Sequence, residues 1–319
     1  MMPFRQDTGF FPPVTGPRAS GHLDVGDGHA LWWEETGPAD GRPVLVLHGG
    51  PGGSIRSYYR RLLDPARHRG IFFDQRACGK STWADPFRAN TTQALVADMD
   101  RLRAARGIDR WTVVGGSWGS TLALAYAEAH PERVAGLVVS GVYLARAADI
   151  AWWWGGWGPI LPDVLAVRDA ALTPAERSDP RRAFRRRIRS TDPAVYRPAA
   201  EALAISSTET LDLMPTAPPD TADWLGERGL LSSRLHLHYD EADFFLKPNQ
   251  LLADSGRLAG IPGAIIAGRN DLCTPPQGAW DLKLAWPDAR LSIVAAAGHR
   301  WNDEAIGRVL VPEISRVAG

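Results

Sequence analysis

Hydrophobic positions along the chain follow two patterns that alternate. Short runs of apolar and β-branched residues predict buried strands at residues 43–47, 71–74, 111–114, 134–139, 263–267 and 291–294. Segments with helical spacing lie between them, as where Leu95, Met99 and Leu102 fall at i, i+4 and i+7 behind a threonine cap. Strands that alternate with helices predict an α/β fold with a doubly wound, mostly parallel sheet.

Two regions depart from this alternation. Residues 30–35 favour an antiparallel edge strand that leads through a Gly-Pro turn into the first parallel strand. From Tyr143 to about Gln250 the chain is helical or irregular, with tryptophans at 152–154 and 157 and a basic run at 181–189. We therefore expect a core in two parts, residues 1–143 and 251–319, and an inserted helical cap at residues 144–250.

Three features of the expected cap are better explained by a structural role than by ligand binding. The tryptophans are expected mainly to pack, although they could also line an aromatic substrate pocket. In the basic run, Phe184 and Ile188 predict one buried helix face with a solvated basic remainder rather than a nucleic-acid surface. His236 and His238 lack a third ligand at a recognisable spacing, so no metal site is expected.

Composition narrows the classes of partner. With 319 residues, 45% of them hydrophobic and 23% charged, the chain can bury the core of an ordinary globular protein. Basic and acidic residues number 36 each, so no net field favours nucleic acid or an anionic membrane. We expect a small-molecule or short-peptide substrate and no cofactor. The first residues lack the apolar core of a signal peptide, which predicts a cytoplasmic location; the oligomeric state stays open.

The strand at 111–114 runs into a Gly-x-Ser-x-Gly motif formed by Gly115, Ser117 and Gly119. An alanine-rich helical segment at 121–129 follows it. A chain that reverses from strand to helix within a few residues holds the serine in a strained conformation, and the small glycines let the two elements pass closely. This context predicts a nucleophile elbow whose serine hydroxyl projects at the top of the sheet.

A second glycine cluster follows the strand at 43–47, in the sequence His48-Gly-Gly-Pro-Gly-Gly53. It is not a phosphate loop, because no Gly-Lys-Ser/Thr follows and the dinucleotide glycine spacing is missing. It resembles the His-Gly-Gly element that supplies an oxyanion amide in α/β-hydrolases. We therefore expect the backbone amides of Gly50 and Trp118 to form an oxyanion hole.

A serine hydroxyl needs a base to remove its proton and a carboxylate to orient that base. His299 lies in the loop after the last predicted strand, where it can reach over the serine, and the other seven histidines are less well placed. Asp271 follows the strand one earlier, at 263–267. The order Ser117, Asp271, His299 at successive strand ends predicts a catalytic triad.

With these motifs assembled, the chain resembles the proline iminopeptidase family of α/β-hydrolases. The matching pieces span the core and are His48–Gly52, Asp74–Ser81, Gly115–Leu122, Gly268–Asp271 with Cys273–Pro275, and Gly298–His299. One departure is Ala77, where the family usually has glycine. The resemblance implies that Ser117, Asp271 and His299 are catalytic. It also implies that the cap covers a pocket for the N-terminal residue of a substrate.

The resemblance weakens in the cap. Members that release proline hold the substrate amine with two glutamates, and an ungapped match puts Ser207 and His236 at those positions. The two matching segments also contain Glu209 and Tyr239, so these four residues are the substrate-binding candidates. Loss of both carboxylates would weaken binding of a buried ammonium severely. The acidic side chains at 209, 240, 241 and 243 could substitute for them.

The sequence thus predicts a serine hydrolase that acts through an acyl-enzyme. The first hypothesis is release of an N-terminal proline or another small residue from a peptide or amide. A second is the same scaffold redirected to a different small ester, amide or lactone. A third is a non-catalytic small-molecule receptor on this fold, for which an intact triad would be unnecessary.

Overall fold

A computed structural model of the chain describes residues 10, 11, 16–214 and 226–319. Residues 1–7, on which the expectation about a signal peptide rests, and residues 215–225 of the expected cap lie outside this range. Within it, no helix is both long enough and apolar enough to cross a membrane.

The described residues form one nine-stranded sheet, in the order β1-β2-β4-β3-β6-β7-β8-β9 with the short β5 beside β2. The strands from β4 to β9 in this order pair parallel with their neighbours. The pairs that involve β2, with β1, β4 and β5, are antiparallel. The predicted fold class is therefore confirmed. The strands are β1 (Ala19–Gly26), β2 (His29–Thr36), β3 (Arg42–Leu47), β4 (His68–Phe73), β5 (Thr82–Trp83), β6 (Trp111–Ser117), β7 (Val134–Val142), β8 (Gly263–Gly268) and β9 (Arg290–Val294).

The expected edge strand at 30–35 lies within β2, but β2 is not at the edge. β1 pairs along its outer side, where Leu23 lies opposite Leu31. The edge position predicted from the sequence was wrong. Every second side chain of β1 is exposed and only Val25 is buried, so the strand contains no apolar run from which it could be predicted.

Helices cover both faces of the sheet, because the parallel strands are apolar on both sides. Alternate residues of one strand enter different cores, as Leu45 and Val46 of β3 do. Helices α1, α2 and α9 pack on one face and α10 on the other. Their bounds are α1 (Thr92–Ala105), α2 (Trp118–Ala129), α9 (Pro276–Ala285) and α10 (Glu304–Ala318).

The chain between β7 and β8 carries the remaining helices. A π-helical turn at Trp152–Gly156 continues directly from the first of them. Phe184 and Ile188 are buried within α5, as the helical spacing predicts. These helices are α3 (Ala147–Ala151), α4 (Pro162–Ala170), α5 (Pro180–Arg189), α6 (Pro193–Glu209), α7 (Glu227–Glu241) and α8 (Gln250–Ala253).

Candidate active site

Ser117 occupies a sharp turn between β6 and α2. Its backbone has φ 57° and ψ −131°, a conformation that residues with a side chain rarely adopt. A Cβ on Gly115 would lie 2.1 Å from the Gly119 carbonyl oxygen, and one on Gly119 would lie 2.7 Å from that of Leu47. Strand and helix therefore pass in direct backbone contact, which holds the Ser117 side chain at the carboxyl end of the sheet.

The candidate acid and base contact each other. His299 Nδ1 lies 2.7 Å from Asp271 Oδ2, and Asp271 is only 1% exposed. Because an ionised carboxylate can only accept, the proton in this hydrogen bond belongs to Nδ1. A neutral His299 then has its lone pair on Nε2, which is the nitrogen that a general base needs free.

Thr274 completes the environment of the acid. Its backbone N–H donates to Asp271 Oδ1 and its hydroxyl donates to Asp271 Oδ2, both at 2.8 Å. The carboxylate is thus held by three donors in a fixed orientation toward His299. Sequence reasoning assigned no role to Thr274. The sequence signal for this role was that Thr274 lies three residues after Asp271. At that spacing a carboxylate commonly accepts a hydrogen bond from a backbone N–H.

The loop that carries His299 packs against the strand that carries Ser117. Gly141 forms a bulge in β7 opposite the Gly116–Ser117 step, and a Cβ there would lie 3.0 Å from His299 Cε1. A Cβ on Gly116 would lie 2.3 Å from Cζ2 of Trp301. The carboxyl ends of β6, β8 and β9 therefore bring the three predicted triad residues to one edge of the sheet.

The expected oxyanion loop lies beside the serine. A Cβ on Gly49 would come within 3.2 Å of Ser117 Cβ, so the loop backbone touches the elbow. Gly50 has φ 129° and is followed by a cis bond to Pro51. Trp118, the first residue of α2, is buried, and its indole Nε1 donates to Gln75 Oε1 at 2.8 Å. Trp118 thus follows Ser117 directly in the chain, and Gly50 follows Gly49, whose backbone touches Ser117.

His236 and Tyr239, two of the substrate-binding candidates, lie in α7. The His236 ring stacks on Trp153 with 4.3 Å between ring centroids. Burial lowers the pKa of His236, and the Asp240 carboxylate and an interaction with the Gly50 backbone oppose part of that shift. The Tyr239 hydroxyl donates to Asn90 Oδ1 at 2.7 Å. His236 is therefore uncharged at neutral pH and adjoins the oxyanion loop.

The other two substrate-binding candidates, Ser207 and Glu209, lie in the last turn of α6. The segment after that turn bonds to the loop of the candidate acid, since Leu272 N donates to the Thr210 carbonyl at 3.0 Å. The C-terminal end of α6 therefore adjoins the loop of the candidate acid.

Known proteins resemble this chain along most of its length. Residues 42–304 match the model of the alpha/beta hydrolase fold. A proline iminopeptidase of Xylella fastidiosa is 43% identical over 91% of this chain and 93% of its own. One of Arabidopsis thaliana is 40% identical over 92% of this chain and 78% of its own. The crystal structure of a Mycobacterium smegmatis proline iminopeptidase superposes with a TM-score of 0.67 at 22% identity, over 94% and 99% of the two chains.

The chain belongs to the proline iminopeptidase family of α/β-hydrolases. Ala77, which stands where the family usually has glycine, has a backbone φ of 59°. This left-handed region favours glycine, so the alanine here is strained by roughly 1 kcal/mol or more. The residue is 2% exposed and packs with Cys78 and Leu235, and such packing can offset part of the cost.

The acidic side chains that could replace the family's amine-binding glutamates are mostly engaged elsewhere. Three of the four accept hydrogen bonds from arginines of α5, so their charge is already balanced. Arg181, Arg185 and Arg187 are therefore less solvated than the sequence predicts, whereas the other arginines of α5 are exposed as predicted. The pairs are Asp240 with Arg181 at 3.0 Å and with Arg185 at 3.1 Å, Asp243 with Arg181 at 2.9 Å, and Glu241 with Arg189.

Proposed function

We propose that this chain is a serine hydrolase that releases an N-terminal proline, or another small N-terminal residue, from a peptide or amide. Ser117 is the nucleophile, His299 the general base and Asp271 the acid that orients it. The observation that carries the proposal is the 2.7 Å bond between His299 Nδ1 and Asp271 Oδ2, at the strand ends beside a serine with φ 57°. Relatives about 40% identical and named proline iminopeptidase favour the peptidase over the two alternatives.

The reaction has two halves. In the first, Ser117 Oγ attacks the carbonyl carbon of the N-terminal residue while its proton passes to His299 Nε2. The tetrahedral intermediate then collapses, the C–N bond breaks, and the imidazolium returns the proton to the departing amine. In the second half, water attacks the ester on Ser117 in the same way, which frees the amino acid and restores the hydroxyl.

Negative charge develops on the substrate oxygen in both halves. We assign its stabilisation to the backbone N–H groups of Gly50 and Trp118. Trp118 is the first residue of α2, so its amide has no partner within the helix and the positive end of the helix dipole adds to its effect. Loss of one such donor typically reduces kcat by roughly 100- to 1,000-fold.

We propose that residues 144–250 form a cap over this site and that Ser207, Glu209, His236 and Tyr239 help to shape its substrate pocket. The support is the position of His236 beside Gly50 and of the α6 C-terminus beside the acid loop. Glu209 has no ion pair among the described residues and is partly exposed. It is therefore the carboxylate we assign to the substrate amine.

The test compares substrates on the purified enzyme. We expect faster turnover of prolyl or alanyl 4-nitroanilide than of N-acetylated prolyl anilide, because acetylation removes the amine. Turnover of simple aryl esters without any anilide cleavage would overturn the peptidase assignment. A fluorophosphonate should label the wild type and not the Ser117→Ala variant. Absence of labelling in folded wild type would favour the receptor alternative.

A further inference from the structure

We propose that His48 and Gln75 are positioning residues that fix both amide donors of the oxyanion hole relative to each other. The inference rests on the proposed function, since it concerns the hole assigned to Gly50 and Trp118. Neither side chain would touch substrate. Both are almost completely buried, with exposed fractions of 1% for His48 and 2% for Gln75.

The hydrogen bonds of His48 specify its tautomer. The backbone N–H of Gln75 donates to His48 Nε2 at 3.1 Å, so this nitrogen must present a lone pair. The remaining proton then sits on Nδ1, which is 2.8 Å from the Gly49 carbonyl oxygen and donates to it. Burial lowers the pKa of His48, although the Asp74 carboxylate opposes this shift, so the ring stays neutral. A protonated ring would lose its acceptor for Gln75.

This bond determines where the Gly50 amide points. The peptide unit joining Gly49 to Gly50 is trans and planar, so its C=O and N–H are directed to opposite sides. When His48 holds the Gly49 carbonyl, the Gly50 N–H is held pointing away from the His48 ring. A Gly-Gly peptide without such a restraint would rotate readily, because glycine has wide backbone freedom.

The Gln75 side chain links that loop to the second donor. Its Nε2 donates to the His48 carbonyl at 2.9 Å, and its Oε1 accepts from the Trp118 indole at 2.8 Å. One planar amide therefore bridges the loop after β3 and the first residue of α2. Those two segments carry the two proposed oxyanion donors. Fixed donors need no reorganisation when charge develops on the substrate, and this is the source of their catalytic effect.

Three variants test the bridge. Gln75→Leu removes both side-chain bonds, and Gln75→Glu keeps the acceptor for Trp118 but places an acceptor opposite the His48 carbonyl. Trp118→Phe removes the indole donor and leaves its backbone amide. We expect kcat for prolyl 4-nitroanilide to fall roughly 10- to 100-fold in Gln75→Leu and less in Trp118→Phe, with KM within about threefold.

A boronic acid inhibitor supplies a second readout, because it forms a tetrahedral adduct on the nucleophilic serine. Its inhibition constant should rise in parallel with the loss of kcat, whereas a purely structural role would not couple the two. Tyr126→Phe is the matched control. It removes a buried hydroxyl of the same helix that contacts Asp100 Oδ1, and it should leave kcat unchanged.

Unchanged kcat in Gln75→Leu and Trp118→Phe would overturn the inference, as would a rise in KM with kcat preserved. If Gln75→Leu does not fold, Gln75→Glu and Trp118→Phe decide by the same criteria. Failure of the proposed function looks different. In that case the wild type itself neither cleaves the anilide nor reacts with a fluorophosphonate.

Discussion

Glu128 is a buried carboxylate in α2 that makes no well-formed hydrogen bond with any described residue. It is 3% exposed. Burial raises its pKa to about 8, and the nearby Asp254 adds to the shift. A side-chain interaction with Gln250 and the positive charge of Arg257 lower the pKa only partly. The folded protein therefore keeps a proton on Glu128 at neutral pH.

This proton makes stability depend on pH. Between pH 4.5 and about 8 the unfolded chain releases the proton while the folded chain retains it, so rising pH lowers the free energy of unfolding. Glu128→Gln keeps the shape and removes the titration. We expect the variant to match the wild type near pH 4.5 and to exceed its free energy of unfolding by roughly 2 to 4 kcal/mol at pH 8.5.

Urea unfolding at several pH values measures this difference. Glu132→Gln is the control, because Glu132 lies three residues after α2 ends and its side chain is 62% exposed. That change should shift the free energy of unfolding by less than about 0.5 kcal/mol at every pH. A difference between Glu128→Gln and wild type that stays constant with pH would contradict the assignment.

At the scale of elements, one aspartate joins two helices of the expected cap. Asp240 in α7 is 1% exposed and accepts from Arg181 and Arg185 of α5, and from the Trp154 indole at 3.1 Å. A carboxylate so buried is stable only because these donors surround it. The cluster fixes α7 against α5, and α7 carries His236.

Asp240→Asn leaves Arg185 without its carboxylate and leaves Arg181 paired only with Asp243. We expect the free energy of unfolding to fall by roughly 3 kcal/mol, because breaking a buried pair leaves uncompensated charge. We also expect KM for prolyl anilide to rise, since α7 becomes less firmly held. Chemical denaturation and steady-state kinetics measure the two effects.

Glu241→Gln provides the matched control next along the chain. Glu241 pairs with Arg189 on the surface, where both side chains are about half exposed. Such pairs contribute roughly 0 to 1 kcal/mol, so this variant should remain close to wild type in stability and KM. Equal losses of stability in Asp240→Asn and Glu241→Gln would show that the burial of Asp240 does not account for the effect of its substitution.

At the scale of the whole molecule, the segment after α6 forms one hydrogen-bonded unit with the loops of the candidate acid and base. His299 N donates to the Leu211 carbonyl at 2.7 Å, and Leu213 N donates to the Asn270 carbonyl at 2.9 Å. These bonds fix the backbone of the candidate base, and of the residue before the candidate acid, against a segment distant in sequence. The position of these two loops therefore depends on how the segment after α6 packs.

Gly298→Ala tests that dependence. A Cβ on Gly298 would lie 2.4 Å from the Leu211 carbonyl oxygen and 2.9 Å from Asp212 Cβ, so the two segments must separate. We expect kcat/KM to fall roughly 10- to 100-fold, because a displacement near 1 Å is enough to misalign the base. Steady-state kinetics with a prolyl anilide measures the loss.

Gly256→Ala is the control for that substitution. A Cβ on Gly256 meets nothing within 4 Å, so activity should stay at the wild-type value. Activity of Gly298→Ala equal to that of the control would contradict the proposed coupling.

Much of the core could be predicted from the sequence because its signals are local. The apolar runs at 43–47 and 263–267 lie in β3 and β8, and the threonine cap accepts from Ala94 N as expected. The predicted helix at 121–129 begins earlier, at Trp118, because the elbow turns directly into α2. β1 escaped prediction because an exposed edge strand needs no apolar run.

By itself, the sequence determined the α/β architecture, the strained turn at Ser117 and the order of serine, acid and histidine along the chain. These depend on periodicity, glycine positions and strand ends, which neighbouring residues specify. Only the tertiary structure decided the partners of distant side chains. Gln75 bridging His48 to Trp118, and the arginines of α5 occupying Asp240, are contacts across tens of residues that no local pattern encodes. Folding brings such groups together because burial leaves each polar atom stable only beside a complementary one.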